Sequence, residues 1–306
     1  MNAARVSHNQ VGRWRLGLVR ILFVLFVAVL CWRLADLQIL NPEFLRNQGD
    51  ARHLRQVPVA AHRGMLLDRQ GEPLAISTPV NSVWLNPQDV PANHPKLGQL
   101  AEKLDIPLSL IQDRIKANPS REFAYLKRRV TPELAQSVKA LEIHGVYLQR
   151  EYKRYYPAAE VTSHLLGFTN IDDIGQEGLE LTYDAVLTGR SGLKRMVRDS
   201  RGNFVEGGEL IQPAKAGENI QLSIDLRLQH LSYQALKNAV NEHNAKAGTA
   251  VVLDIETGEV LAMVNQPAFN PNNRSRLKAS DFRNRAVTDL FEPGSTVKPF
   301  TVASAI

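Results

Sequence analysis

The feature that most constrains this chain is Ile21–Trp32, ILFVLFVAVLCW, twelve residues without a polar side chain. Extended from Leu16 to Ala35 the segment is about 20 residues long, enough at 1.5 Å per residue to cross a hydrocarbon core of about 30 Å. Arg20 and Arg33 stand near its ends, where long basic side chains reach the headgroups. A cleaved signal peptide would need small residues three and one positions before the cut. Leu30-Cys31-Trp32-Arg33-Leu34 offers no such pair, and Cys31 follows a leucine, which speaks against a lipoprotein site. Residues 16–36 are therefore predicted to be an uncleaved transmembrane anchor. Arg5, Arg13, Arg15 and Arg20 precede or open the span. The positive-inside rule then places the tail 1–15 in the cytoplasm and everything after about Ile39 outside the membrane. There is no second run of this kind, so the expected topology is bitopic.

Composition narrows the chemistry. The 306 residues suffice for two ordinary domains, and 44% hydrophobic with 22% charged residues describes a folded chain. A net charge of +6 suits an anionic partner: nucleic acid, lipid or wall polymer. The topology turns this away from nucleic acid, so Lys127-Arg128-Arg129 and Lys194-Arg195 are read as solvated faces or as faces toward lipid and wall polymer. The single cysteine, Cys31, excludes an internal disulfide and a Cys-rich zinc site. No His-Glu-x-x-His, Walker loop or Gly-x-Gly-x-x-Gly occurs, so neither a metal nor a cofactor is expected.

Beyond the anchor, residues 41–58 read as a polar, charged stem in helical form. Residues 63–71 read as two short strands around a turn at Arg69-Gln70-Gly71. Helical periodicity covers 96–117, through Leu97, Leu100 and Leu104, and 132–141, with Pro132 early in the helix. A polar loop at Pro213–Asn219 marks a boundary. After it come a strand at 220–224 and a helix at 226–240 with Leu228, Leu231, Ala235 and Ala239 on one face. A hairpin of 248–255 and 259–264 around Glu256-Thr257-Gly258 follows, then a helix in which the sequence ends. The expected fold is α+β: one transmembrane helix, an elongated α+β pedestal over 37–215, and the truncated beginning of a mixed α/β domain over 216–306.

Ser295-Thr296-Val297-Lys298 is a Ser-x-x-Lys motif. Ordinary usage gives about one such match per chain by chance, and Ser191–Lys194 and Ser275–Lys278 share the spacing. Context separates them. Ser191 lies between Gly189 and Gly192 and Ser275 in an Asn-rich loop, whereas Ser295 follows Glu292-Pro293-Gly294 and opens an apolar run. Pro299 is tolerable only near a helix start, so Ser295 is expected at the N-terminal end of a buried helix. One turn would bring Lys298 to the same face. A buried lysine can act as a base near neutral pH and activate the hydroxyl. Spacing alone leaves open the alternative of a serine cap followed by an exposed lysine.

The surrounding residues resemble a known family. Phe291-Glu-Pro-Gly-Ser295-Thr-Val-Lys298-Pro is similar to the active-site stretch of class B penicillin-binding proteins, a superfamily for which Ser-x-x-Lys is a signature. Arg63-Gly64-x-x-x-Asp68-Arg69-x-Gly71-x-x-Leu-Ala75, Arg154-Tyr-Tyr-Pro157 with His164-Leu-Leu-Gly-Phe168, and Gly175-Gln-Glu177-Gly-Leu-Glu180-x-x-Tyr-Asp184 resemble, in order, the boxes of that family's N-terminal module. Thr257–Met263 and Asn270-Pro-Asn272 are similar to the start of its transpeptidase domain. Within the family, the division-specific type is the nearer likeness.

The resemblance implies a peptidoglycan D,D-transpeptidase of septal wall synthesis in the bacterial inner membrane, with its bulk in the periplasm. Ser295 would attack the D-Ala-D-Ala carbonyl of a stem peptide while Lys298 takes its proton. An amine on a neighbouring strand would resolve the acyl-enzyme, and β-lactams would acylate the same serine. Implied partners are stem peptides, β-lactams, and division proteins including a lipid-II-polymerising glycosyltransferase. The family's Lys-Thr-Gly motif is absent, and the one Ser-x-Asn, Ser7-His8-Asn9, falls before the anchor. The expectation is a truncated and inactive fragment of an active parent. Two readings of Arg63, Gly64, Asp68, Arg69, Arg154, Pro157, Glu177 and Glu180 stay open: holding the pedestal against the catalytic domain, or contacting division partners. An elongation-type enzyme, a non-catalytic division scaffold and a β-lactam sensor remain alternatives.

Overall fold

The computed structural model describes residues 13–36, 54–117, 120–197, 209–275 and 277–306. It divides into two compact units, 1–55 with 196–207, and 56–195 with 208–306. In the first, α1 (Arg13–Ala35) is about 34 Å long, and its stretch Ile21–Trp32 is apolar around the whole circumference. Trp14–Ala35 is long and apolar enough to cross a membrane. Leu22, Phe23, Leu25 and Phe26 are all exposed, as lipid-facing side chains would be. The helix thus begins three residues before the expected span. Arg33 Nη1 donates to Asp36 Oδ2 at 2.7 Å.

The expected helical stem is corrected where it can be seen. Residues 41–53 lie outside the described ones, and Leu54–Val59 is a strand, β1. Val57 and Val59 favour extended backbone, and Pro58 between them has no N–H to give a helix. Proline is tolerated because β1 is an outer strand in the sheet order β1-β8-β9 (β8 Gly192–Val197, β9 Glu209–Gln212).

The turn expected at residues 69–71 is present. β2 (Leu66–Leu67) pairs antiparallel with β3 (Pro73–Leu85), and Asp68 Oδ1 accepts the N–H groups of Gln70 and Glu72, each at 2.8 Å. β3 continues into a second sheet region. It pairs antiparallel with β5 (Val146–Tyr155) from Ile76↔Tyr155 to Leu85↔Val146, and with β4 (Ala124–Val130) on its other edge. Against one face of this sheet lie α2 (Leu97–Leu104), α3 (Leu108–Ala117) and α4 (Pro132–Lys139). Val83, Leu85, Leu100, Leu104, Ile111 and Val138 are the centre of that core. The continuous helix expected over 96–117 is two helices. Asp105 takes a left-handed conformation at φ 51°, and Pro107 removes a donor and disfavours helix at Ile106.

A second core gathers Leu66, Leu74, Tyr156, Leu166, Phe168 and Leu187 with Phe269 from further along the chain. Its frame is a set of short pieces: α5 (Ser163–Leu166), β6 (Phe168–Thr169), β7 (Gly175–Glu177), α6 (Gly178–Thr182) and α7 (Asp184–Leu187). Elements this short cannot stabilise themselves; buried charges tie them together. Glu180 has no exposed surface, and its two carboxylate oxygens accept Arg63 Nε at 2.8 Å and Arg154 Nε at 2.7 Å. Arg63 Nη1 also donates to Asp184 Oδ1, Thr188 Oγ1 and the Asp173 carbonyl, and Nη2 to the Glu180 carbonyl. Burial would lower the Arg63 pKa, but Glu180 and Asp184 outweigh it and hold the guanidinium charged. Arg154 Nη1 donates to the Gly64 carbonyl and to Ser77 Oγ. Gly64 is obligatory here, because a Cβ would stand 1.9 Å from the Glu218 carbonyl oxygen.

The remaining elements are β10 (Ile220–Gln221), parallel to β2; α8 (Leu226–Glu242); and the expected hairpin of β11 (Gly248–Leu253) and β12 (Val260–Gln266). The strand expected at 220–224 is thus only two residues long. The face expected for α8 is also corrected. Leu231 is 66% exposed, while Gln229 and Tyr233 are buried. The helix is rotated because Gln229 is bonded into the hairpin: its Oε1 accepts Met263 N–H and its Nε2 donates to the Met263 carbonyl, both at 2.8 Å.

The charge clamp predicts a specific stability pattern. Glu180→Ala leaves two buried guanidiniums unpaired and is expected to cost about 3–5 kcal/mol in urea unfolding. Glu177→Gln, on an exposed side chain three residues away, should change stability by less than about 0.5 kcal/mol. Equal effects of the two substitutions would contradict the clamp.

Candidate active site

Ser295 lies in a single 3-10 turn, Gly294–Val297, which runs directly into a short helix, Lys298–Ala303. Gly294 adopts φ +54°, a conformation that suits glycine, and reverses the chain into the turn. Thr296 N–H donates to the Pro293 carbonyl at 3.1 Å and its hydroxyl to the same oxygen at 2.5 Å. Pro299 falls in the first turn, where its missing N–H leaves no gap. The helix start expected from the sequence is therefore present, with Ser295 and Lys298 one turn apart. The burial expected around it is not. Ser295 and Lys298 are exposed, Phe300 is 75% and Val302 60% exposed, and among the described residues no layer covers this apolar face.

The competing serines differ in geometry. Ser191 stands exposed at the start of β8, where extended backbone sends residues i and i+3 to opposite sides. Ser275 is in a turn, its hydroxyl donating to Asn273 Oδ1 at 3.2 Å.

The boxes fall into two groups. Arg63, Gly64, Arg154 and Glu180 converge in the buried clamp. Asp68 and Arg69 instead face the chain after Leu222. Asp68 is 1% exposed and its Oδ2 accepts Leu226 N–H at 3.3 Å, while Arg69 N–H donates to the Ile224 carbonyl and its guanidinium lies 3.6 Å from Glu259. Glu177 and Pro157 are exposed; Glu177 contributes its backbone, pairing with Phe168.

A seam between residues 156–169 and the hairpin region escaped the sequence reading. Asn272 accepts Tyr156 N–H at 3.1 Å and donates to the Tyr156 carbonyl at 2.9 Å, as a strand neighbour would. Gln229 donates to the Val161 carbonyl at 2.7 Å. Arg274 donates to the Thr169 carbonyl at 2.8 Å, with its guanidinium 4.0 Å above the Phe168 ring. His164 Nε2 stands 3.0 Å from the Asp281 carbonyl; burial holds this imidazole below its ordinary pKa. Polar side chains that bond to main chain leave no periodic trace. His164, Phe168 and Asn272 stood out only as parts of family-like stretches; the further signal was Gln229, a polar residue on the face Leu226, Tyr233 and Val240 share.

Comparisons with known proteins bear on the whole arrangement. Residues 58–222 match the model of the penicillin-binding protein dimerisation domain, and residues 248–306 match that of the penicillin-binding protein transpeptidase domain. The chain is 45% identical over 305 residues to the peptidoglycan D,D-transpeptidase FtsI of Escherichia coli K12, covering 98% of this chain and 52% of that protein. It is 43% identical over 298 residues to a probable peptidoglycan D,D-transpeptidase, PbpC, of Pseudomonas aeruginosa, covering 97% and 53%. The chain thus spans about half the length of the curated relatives it matches. Among solved structures, penicillin-binding protein 2 in complex with MreC from Helicobacter pylori aligns with a TM-score of 0.62 at 22% identity, over 82% of this chain and 52% of that one. Penicillin-binding protein 2X of Streptococcus thermophilus aligns at 0.59 and 24%, over 82% and 41%; at these identities the likeness shows the fold. The dimerisation-domain match alone takes in more than half of the 306 residues, and with the transpeptidase match after it the chain belongs to the class B penicillin-binding proteins.

Proposed function

We propose that the full-length protein of which this sequence forms part is a serine D,D-transpeptidase that crosslinks peptidoglycan stem peptides during septal wall synthesis. The observation that carries this reading is the position of Ser295-Thr-Val-Lys298: at a helix start, after Glu-Pro-Gly, inside the matched transpeptidase region. The 45% identity to a protein named FtsI favours the division role over elongation. Ser295 is the nucleophile and Lys298 its proton acceptor, and the start of a helix favours negative charge developing at the reacting oxygen. The acyl-enzyme releases D-Ala, then passes its acyl group to an amine of a neighbouring strand. β-Lactams acylate the same hydroxyl.

The pedestal is held together by the Arg63–Glu180–Arg154 clamp, and the Asp68–Arg69 turn seats the chain that leads into the catalytic domain. The proposed domain layout is 1–15, 16–36, 37–215 and 216–306, as tail, anchor, pedestal and beginning of the catalytic domain. The helix α1 anchors the protein in the inner membrane with its N-terminus inside. A protein of the same fold was solved in complex with MreC, which supports protein partners for this one; a lipid-II-polymerising glycosyltransferase of the division machinery is the partner proposed here.

Two experiments check these assignments. In the full-length parent, Ser295→Ala should abolish labelling by a fluorescent penicillin while changing stability by less than about 0.5 kcal/mol, because the exposed hydroxyl caps neither the turn nor the helix after it. Lys298→Arg should be nearly as damaging, because arginine stays protonated; Ser191→Ala and Ser275→Ala should label normally. Wild-type labelling of Lys298→Arg would remove the lysine from the mechanism. For topology, alkaline phosphatase fused after residue 60 should be active, and a cytoplasmic fluorophore at the same point should be dark. The opposite pattern would reverse the orientation.

A further inference from the structure

Asn265, at the end of β12, is 3% exposed, and both ends of its carboxamide are used. Its Nδ2 donates to Asn284 Oδ1 at 2.9 Å, and its Oδ1 accepts Ala286 N–H at 2.9 Å. Both partners belong to the start of a short helix, Arg285–Thr288, to be called α9. The rest of that turn is closed on itself. The Asn284 carbonyl accepts Thr288 Oγ1 at 2.8 Å and the N–H groups of Val287 and Thr288. Arg283 and Arg285 both reach Asp289, at 2.6 and 3.1 Å. Asn284 Nδ2 points to the His164 carbonyl, 3.4 Å away. Residues 283–289 therefore form one hydrogen-bonded knot, fixed to the edge of the hairpin by Asn265.

The knot is the last such anchorage before the serine. After Asp289 the hydrogen bonds among the described residues join only near neighbours, as from Thr296 to Pro293 and from Ser304 to Phe300. Ser295 stands six residues beyond Asp289, and Pro293 and Gly294 set its turn. The direction in which that segment leaves the sheet is thus decided at α9. A serine nucleophile must meet its carbonyl within a few tenths of an ångström, and misplacement by about 1 Å costs on the order of a hundredfold in rate.

We infer that Asn265 is a positioning residue for Ser295: by tying the α9 knot to β12 it fixes where the serine-bearing turn begins, and so governs the rate of acylation rather than the binding of the acyl donor. The inference rests on the transpeptidase reading above and deepens it. Asn265 touches neither Ser295 nor Lys298, so its effect runs through Asn284 and the Ala286 N–H.

The test uses the full-length parent and a fluorescent penicillin, with the saturating acylation rate separated from the half-saturation concentration. Asn265→Ala and Asn284→Ala should each lower the saturating rate roughly tenfold or more, with half-saturation changed less than about twofold. Combining them should lower it little further, because both remove the same link. Asn284→Asp keeps the oxygen that accepts Asn265 Nδ2 but gives up the contact of Nδ2 with the His164 carbonyl, and should recover part of the rate lost in Asn284→Ala. Leu100→Ala, in the separate helical core, supplies the control for a purely structural effect: a lower Tm with an unchanged acylation rate per folded molecule. A wild-type rate in Asn265→Ala, a loss carried by half-saturation, or an Asn284→Asp rate no better than that of Asn284→Ala would overturn the inference. Absence of labelling in the unmutated parent would instead overturn the transpeptidase reading itself, and this inference with it.

Discussion

Glu180 sits with no exposed surface between two guanidiniums, one from the loop before β2 and one from β5. A lone buried carboxylate would be costly, and so would either arginine. Together they are compatible with burial only in one arrangement of three segments far apart in sequence. Isolated helices of four or five residues, such as those over 163–187, have too little hydrogen bonding to persist. The clamp gives them a fixed frame. A buried ion pair of this kind adds little net stability over an apolar core; the geometric demand, with both oxygens, both Nε atoms and the Gly64 and Glu180 carbonyls all engaged, is what selects this arrangement.

From that frame the structure reaches toward the serine in steps. Arg154 fixes the end of β5, so that Tyr156 presents its N–H and carbonyl to Asn272. The short segment to Thr169 offers further carbonyls to Gln229, Asn284 and Arg274. Side-chain amides thereby join the pedestal to the hairpin without a shared sheet. Phe168, Phe269 and Phe282 fill the space behind them, with ring centroids 4.6 to 6.1 Å apart in edge-to-face contacts.

Much of this was legible in the sequence for identifiable reasons. An apolar stretch with no polar interruption can only be a spanning helix or a buried one. Glu256-Thr257-Gly258 between alternating apolar runs specified the hairpin, and Glu-Pro-Gly before Ser295 specified a helix start. Three of the misreadings are alike: a local pattern was followed past a chemical or a tertiary veto. Pro107 broke the helix that Leu97, Leu100 and Leu104 announced. Pro58 and its flanking valines made a strand of the last part of the stem. Gln229, held by Met263, turned α8 so that Leu231 faces out. The clamp residues were recognisable only as boxes, because pairing across more than a hundred positions, as between Arg63 and Glu180, is invisible to spacing.

The central claim is that Ser295 is the acylated nucleophile, and it can be tested without any substitution. The full-length protein would be treated with penicillin, digested, and mapped by tandem mass spectrometry. The account predicts one penicilloyl adduct per molecule, on the peptide containing Ser295 and on that hydroxyl. An adduct on Ser191 or Ser275, which share the spacing but not the helix start, or a protein that forms no adduct, would contradict it.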